Sequence, residues 1–467
     1  MLRLYASQAQ SLWDELLPIE VQELPEDLRE IDALLADPAL MAPIAAHWAR
    51  EAEQRGRSSA IDGRPTIAMQ TYVRLMVLKQ RSRWGYETLM REVSDSIHLR
   101  RFCLIALHER VPCESTVRKM TRRLGAQTVT ELCREVIVAA ARERRFRPRA
   151  VRIDSTVVAA DVRYPTDAGL ASDGIRALAR EAGKLRARLS KGRAKLAAKV
   201  RDRSRAAGRR LREISRTLKS RSGERKDRVM KLTSDAGKLL ERSIGEARSL
   251  AKELRAKARG RGAKTKLAAA RRLDELTDRC DKVAEQVRKR VAGEKIEDRL
   301  VSLSDPDARP IRKGKRGKPT EFGYVSQIAE VTSSTKPGQR GFVLPPASAA
   351  GNPHENELLS DTVAELQALG MSPREVALDG GFGHKKTDEQ LAPLKPQRTF
   401  IAGRPSDRSR RTQRRLARYR VGAEGRISHV KRGYGLDRSR LKGREGHQTW
   451  TGWVALAYNL DTYAAMG

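Results

Sequence analysis

At 467 residues the chain is long enough for about three domains and for at least one sizeable core. Its 95 Lys and Arg against 58 Asp and Glu give a formal net charge of +37 and a pI near 10.7. A polyanion is the partner this implies, because Lys and Arg release the counterions condensed on a phosphate backbone. The charge is not confined to a terminus, which argues against a basic tail on an unrelated enzyme.

From the N-terminus, MLRLYASQAQSLWDELLP carries acids early and lacks a long apolar core with a cleavage site, so a signal peptide is not expected. No apolar run of about 18 residues follows that would cross a membrane. Residues 26–146 read as helical: Leu75, Met76 and Leu78, then Leu89 and Val93, recur at three- and four-residue spacing. Two segments, YETLMREVSDS and VPCESTVRKMTRRLG, resemble a helix-turn-helix. In the second, Ser115 and Thr116 are placed to cap a helix carrying Arg118, Lys119, Arg122 and Arg123. That is the pattern of a recognition helix, and equally of an amphipathic surface helix. Cys103, Cys113, Cys133 and Cys280 include no CxxC pair and fit reduced, cytosolic thiols better than a disulfide framework.

VRIDSTVV then reads as a strand with Val151, Ile153 and Val157 on one face and Asp154 with Thr156 on the other. Between 173 and 300 the composition shifts to roughly 41 basic and 18 acidic residues, with no aromatic residue and no proline. Leu178, Leu185, Leu189, Leu196 and Val200 trace a narrow helical seam, and Leu273, Leu276, Cys280, Val283, Val287 and Val291 trace another. Long helices folded back as an antiparallel hairpin are expected. Disorder is the competing reading, because Gly and Ser interrupt the middle (RSGERK, ARGRGAK).

After 320 the pattern becomes mixed α/β. FGYVSQIAEVT, GFVLPP, REVALD and RTFIAG read as strands, and HENELLSDTVAELQALG and KKTDEQLAPL as helices. RPSDRSRRTQRRLARYR reads as a basic loop leading into a helix that carries Glu424, and TWTGWVALAYNLDTYA as a buried helix with Trp450 and Trp453 in the core. Asp379 ends a strand and is followed by Gly380, Gly381 and Gly383, where α/β sheets place ligands. His384 and Lys385 come next, either in a solvated loop or against DNA. Glu424 and Lys431, seven residues apart, share a helix face while Ile427 and Val430 turn inward. A carboxylate on a core strand is costly unless it is paired or holds a cation, so Asp154, Asp379 and Glu424 form a candidate metal site.

The order strand-Asp, strands, helix, strand-Asp, helix, strand, helix-Glu resembles the ribonuclease-H-like core of DDE transposases from bacterial insertion sequences, over about residues 62–463. RIDSTVV resembles that family's first-Asp strand, ALDGGFG its second, and KRGYGLDRSRLKG its basic continuation. Arg420, Glu424 and Lys431 fit the spacing of its Tyr-Arg-Glu-Lys signature, with Ala417 at the Tyr position and Tyr419 displaced by two. The resemblance implies an α/β fold: a ribonuclease-H-like mixed-sheet core (147–172 and 301–467), a helical, DNA-binding N-terminal domain (1–146) and a long basic helical insertion (173–300). It implies that Asp154, Asp379 and Glu424 bind two Mg²⁺ ions, for which Mn²⁺ substitutes, in cleavage and strand transfer of DNA. Arg420, Lys431 and Arg432, with Arg118, Lys119 and Arg122, would contact DNA. The implied partners are the inverted-repeat ends, target DNA and further copies of the chain in a homodimer or larger synaptic assembly. A ribonuclease-H-like nuclease or resolvase, and a structural DNA-binding protein or inactive transposase remnant, are the alternatives.

Overall fold

The computed structural model describes residues 1–6, 16–56, 64–144, 146–189, 196–219, 223–312, 320–406 and 408–466. They form two compact units, Met1–Asp161 with Gly323–Gly467, and Val162–Phe322. In the first unit the N-terminal helices are α1 (Glu26–Leu35), α2 (Ala42–Arg55), α3 (Met69–Arg81), α4 (Tyr86–Asp95), α5 (Ile97–Phe102) and α6 (Glu114–Glu143). Helix α1 buries the stripe Leu28, Ile31, Leu34 and Leu35. Helix α3 is buried almost all round. Its Arg74 is neutralised by Asp32 at 2.8 Å. Its Lys79 lies over the rings of Tyr86 and Trp450, at 4.8 and 4.4 Å.

Helix α6 is broken at Gly125, whose backbone (φ 66°, ψ −171°) leaves the helical region. Its first run, 114–124, points Val117, Met120, Thr121 and Leu124 inward and leaves Arg118, Lys119 and Arg122 exposed. The helix starts earlier than the capping pattern suggested. Cys113 holds the cap position, and the Ser115 and Thr116 hydroxyls lie inside the first turn, 3.3 and 2.9 Å from the Cys113 sulfur.

Strand β1 (Ala150–Ala160) precedes the second unit, which holds α7 (Asp167–Leu189), α8 (Ser204–Lys219), α9 (Arg225–Ala256), α10 (Ala263–Ala292) and strand β2 (Arg309–Arg312). Helices α9 and α10 run antiparallel, since the pairs Arg255–Asp274, Arg248–Asp281 and Arg288–Glu241 retreat along one helix as they advance along the other. Their seam buries Leu240, Ile244 and Ala247 against Cys280, Val283 and Val287, but Val291 is exposed. The other expected seam does not continue as one helix: α7 ends at Leu189, and Leu196 and Val200 lie in a non-helical stretch. There the Glu253 carboxylate accepts the amides of Ala197 and Ala198, and Glu246 that of Arg201, so α9 side chains replace intrahelical bonds. Leu196 is buried all the same. Of the Gly- and Ser-rich interruptions, ARGRGAK contributes a 3-10 turn at Gly260–Gly262, and RSGERK lies partly outside the described residues.

The chain returns through β3 (Thr320–Thr332), β4 (Phe342–Val343), β5 (Ala347–Ala350), α11 (Glu355–Ala368), β6 (Glu375–Leu378), α12 (His384–Leu391), β7 (Arg398–Ile401), α13 (Arg410–Tyr434), β8 (Arg438–Ser439) and α14 (Gly443–Ala464). In the sheet, β3, β1, β6 and β7 are successive neighbours, and β4 and β5 pair with β3. β3 is antiparallel to β1, with Asp154 opposite Ile328; β6 is parallel to β1, with Ile153 opposite Leu378; β7 is parallel to β6. Much of the expected basic loop is helix: Ser409 caps α13 by accepting the Thr412 amide, and the arginines that follow lie on its outer faces. His384 opens α12, but its side chain lies outside the described residues. Helix α14 packs on α6 and α3 and buries Trp450 and Trp453, so the N-terminal helices share one core with the sheet.

Candidate active site

The site is built where β1 and β6 run side by side. Because Ile153 pairs with Leu378 in parallel register, the next residue on each strand, Asp154 and Asp379, stands at the same level. Asp154 is only partly exposed and accepts the Ser155 amide at 2.7 Å. Burial pushes its carboxyl up to about 6, the Ser155 amide opposes this, and the charges of Asp379 and Glu355 raise it further. Asp379, beyond the end of β6, is half-exposed at 49%.

Glu424 reaches the same region from α13. That helix buries Leu416, Tyr419, Ala423, Ile427 and Val430, and Glu424 lies on the opposite, open face. Arg420, one turn earlier, joins the two halves of the site. Its guanidinium donates to Asp379 Oδ1 and to Glu424 Oε1, each at 2.9 Å. Among the described residues no three His, Cys, Asp or Glu side chains converge closely enough to hold a metal ion.

The placement of α13 rests on a buried ionic network. Arg152 of β1 is 4% exposed and pairs with Glu330 of β3 at 2.6 Å; Arg426 of α13 pairs with the other oxygen of Glu330 at 2.8 Å. Gly422 permits this approach, since a Cβ there would stand 1.9 Å from Arg152 Nη1. Glu375 of β6 pairs with Arg415 of α13, and that hydrogen bond, despite some burial, holds its carboxyl down to about 2, with help from Arg398. Tyr419 is a core residue: its hydroxyl lies 2.6 Å from Thr332 Oγ1 and its ring packs on Ala150 and Ala377. The displaced tyrosine therefore faces away from the open side of the helix.

The other expected contacts are placed as follows. The Lys431 ammonium donates to the Val157 carbonyl of β1 at 2.7 Å. Arg432 has an exposed side chain, and its carbonyl accepts from Arg83 at 3.0 Å. Arg118 pairs with Glu114 at 3.0 Å and lies over Tyr86, Lys119 and Arg122 are exposed, and Arg123 turns back onto Glu51 and Trp48.

Glu355, the first residue of α11, is the site residue that the sequence pattern did not single out. Its carboxylate accepts the Ser155 hydroxyl, and its side chain lies against Gly381, beside Asp379. An acid in the first turn of a helix ordinarily reads as a partner of the helix dipole. The signal available was the His354–Glu357 capping box, which fixes Glu355 at the start of α11, just after β5 has paired with β3.

Two family models match the chain: Transposase DDE domain over residues 307–460, and Transposase domain (DUF772) over residues 20–123. The chain belongs to the insertion-sequence DDE transposases. The first match includes Asp379, Arg420, Glu424 and Lys431, and the second includes the exposed basic residues of the first run of α6. A DDE domain implies a ribonuclease-H-like fold, in keeping with the mixed sheet. Asp154 lies outside both matches and is tied to the DDE domain by strand pairing. No curated protein and no solved structure matches the chain.

Proposed function

We propose that the protein cleaves DNA at the inverted-repeat ends of its element and joins the freed 3′-hydroxyl to target DNA, with Asp154, Asp379 and Glu424 as the catalytic carboxylates. The observation that carries this reading is an excess of acid. Asp154 within β1, Asp379 just past β6, Glu424 on α13 and Glu355 at the start of α11 face one region, and the Arg420 guanidinium bonds Asp379 and Glu424. Carboxylates held together at that cost suit a divalent cation. Their hard oxygen donors suit Mg²⁺, with Mn²⁺ as substitute.

Asp154, Asp379 and Glu424 would hold two such ions, which when bound neutralise charge developing on the transferred phosphate. Arg420 would then exchange its carboxylate bonds for a DNA phosphate, which its bidentate fork also fits. Lys431 and Arg432, further along α13, would bind flanking phosphates. Arg118, Lys119 and Arg122, on the open face of the 114–124 run, would bind DNA from the N-terminal domain (1–146). The working form would be a homodimer or larger assembly that holds two ends together, in the cytoplasm and associated with the nucleoid.

The test uses a duplex carrying the element's own ends, with Mg²⁺. Wild type should nick it at the end, and Asp154→Ala should bind it without nicking. An Asp154→Ala protein that nicks as fast as wild type would show that the carboxylates are misassigned.

A further inference from the structure

We propose that the groove between α8 and the start of α9 is a binding site for the phosphate backbone of duplex DNA, separate from the carboxylate site; this rests on the reading of the chain as a DNA transposase. The groove encloses ≈ 660 Å³ and is lined by Arg209, Arg212, Glu213, Arg216 and Thr217 of α8, by Glu224, and by Arg225 and Arg228 of α9, five arginines against two acids. Residues 199–231 hold 14 basic and four acidic side chains. Helix α8 packs inward through Ala207, Leu211 and Ile214. Arg209, Arg212 and Arg216, at steps of three and four, form a single exposed stripe on another face.

What sets this stripe apart is that three arginines stand in one row along one groove, not that they alone go without a carboxylate. Other arginines of the second unit are matched. Arg203 is bound by Glu246, Arg248 by Asp281, Arg255 by Asp274, and Arg290 and Arg299 share the buried Asp167. In the groove, Glu213 is engaged by Arg228 at 2.9 Å. Arg209, Arg212 and Arg216 have no carboxylate partner among the described residues. Three guanidinium groups held in one row repel one another, and an anion of matching spacing removes that cost.

The ligand follows from geometry and composition. Seven residues of helix rise about 10 Å, roughly three phosphates along one strand of duplex DNA. Residues 173–300 contain no Phe, Tyr or Trp, so the groove has no ring on which an unpaired base would stack. Backbone contact without base readout is what such a surface provides.

The full-length protein and a triple variant, Arg209→Gln with Arg212→Gln and Arg216→Gln, are compared for binding to an end duplex and to an unrelated duplex from about 50 to 200 mM salt. Each lost phosphate contact lowers the slope of log affinity against log salt by about 0.9. The variant's slope should therefore fall by about 2 to 3 on both duplexes, while Arg→Lys at the same three positions keeps it. Cleavage of saturating end DNA should be unchanged. An unchanged slope overturns the proposal, and if the oligomeric state is altered as well, the stripe serves contact between copies of the chain instead. The two readings fail separately. Wild type that nicks its ends while the variant keeps the full slope sinks only the groove; a reduced slope with no nicking by wild type sinks only the cleavage reading.

Discussion

The two units handle charge alike and leave opposite residues of it. In the first, interior acids are matched with care: Glu330 is held by Arg152 and Arg426, and Glu375 by Arg415 and Arg398. In the second, Asp167, Glu246, Asp274 and Asp281 each meet an arginine. Each unit also gathers like charges in one place. In the first it is a set of carboxylates sharing Arg420; in the second it is a row of arginines along α8. Like charges gathered in one place favour a counter-charge from outside the chain. An acid cluster suits cations and a basic row suits phosphates, the two charges that the proposed DNA cleavage would use.

The comparison is broken most forcefully at the acid cluster. Asp379→Asn and Glu424→Gln should each slow end cleavage by about a thousandfold or more, because electrostatic stabilisation is the largest catalytic term such sites supply. End binding in a gel-shift assay should be nearly unchanged. Glu355→Gln should slow cleavage by about ten- to a hundredfold, as expected of a residue orienting its neighbours through Ser155.

The matched charges respond in stability instead. Glu330→Ala strands two guanidinium groups in the core and should cost about 3 to 5 kcal/mol by denaturant unfolding. Glu375→Gln should cost less, and its effect should depend on pH. The Glu375 carboxyl is depressed from 4.5 to about 2, so its contribution is present in full above about pH 4.5 and is lost as pH falls toward 2. The difference in melting temperature between wild type and Glu375→Gln should shrink over that window.

These contrasts also mark what could be read from sequence. Asp154 and Asp379 stood out as candidates because a carboxylate within or closing an apolar strand is costly and visible. Glu424 and Lys431 were candidates from helical spacing, and Arg420 only from the resemblance to the family's signature. Glu355 was not among them, because its chemistry depends on β5 and α11 being folded against β1, a long-range contact with no local trace. The seam through Leu196 and Val200 misled for a related reason: periodicity records which residues are buried but not whether the backbone between them is helical. The α9 carboxylates that take over its amides lie about 50 residues away. Tyr419 likewise showed its role only once α13 was laid on Ala150 and Ala377.

Thermal unfolding of Asp154→Asn with and without Mn²⁺ tests most directly whether the acid cluster takes a cation. The Asp154 carboxyl is raised from 3.8 to about 6, so ionising it costs the folded state stability progressively between those values and fully above them. Without metal, the variant should therefore be more stable than wild type at pH 7.5, by about 3 kcal/mol at most, and equal to it below about pH 4. Adding Mn²⁺ at pH 7.5 should stabilise wild type and reverse the order, leaving the variant nearly unmoved. Equal stabilisation of both proteins by Mn²⁺, or none of either, would contradict the account.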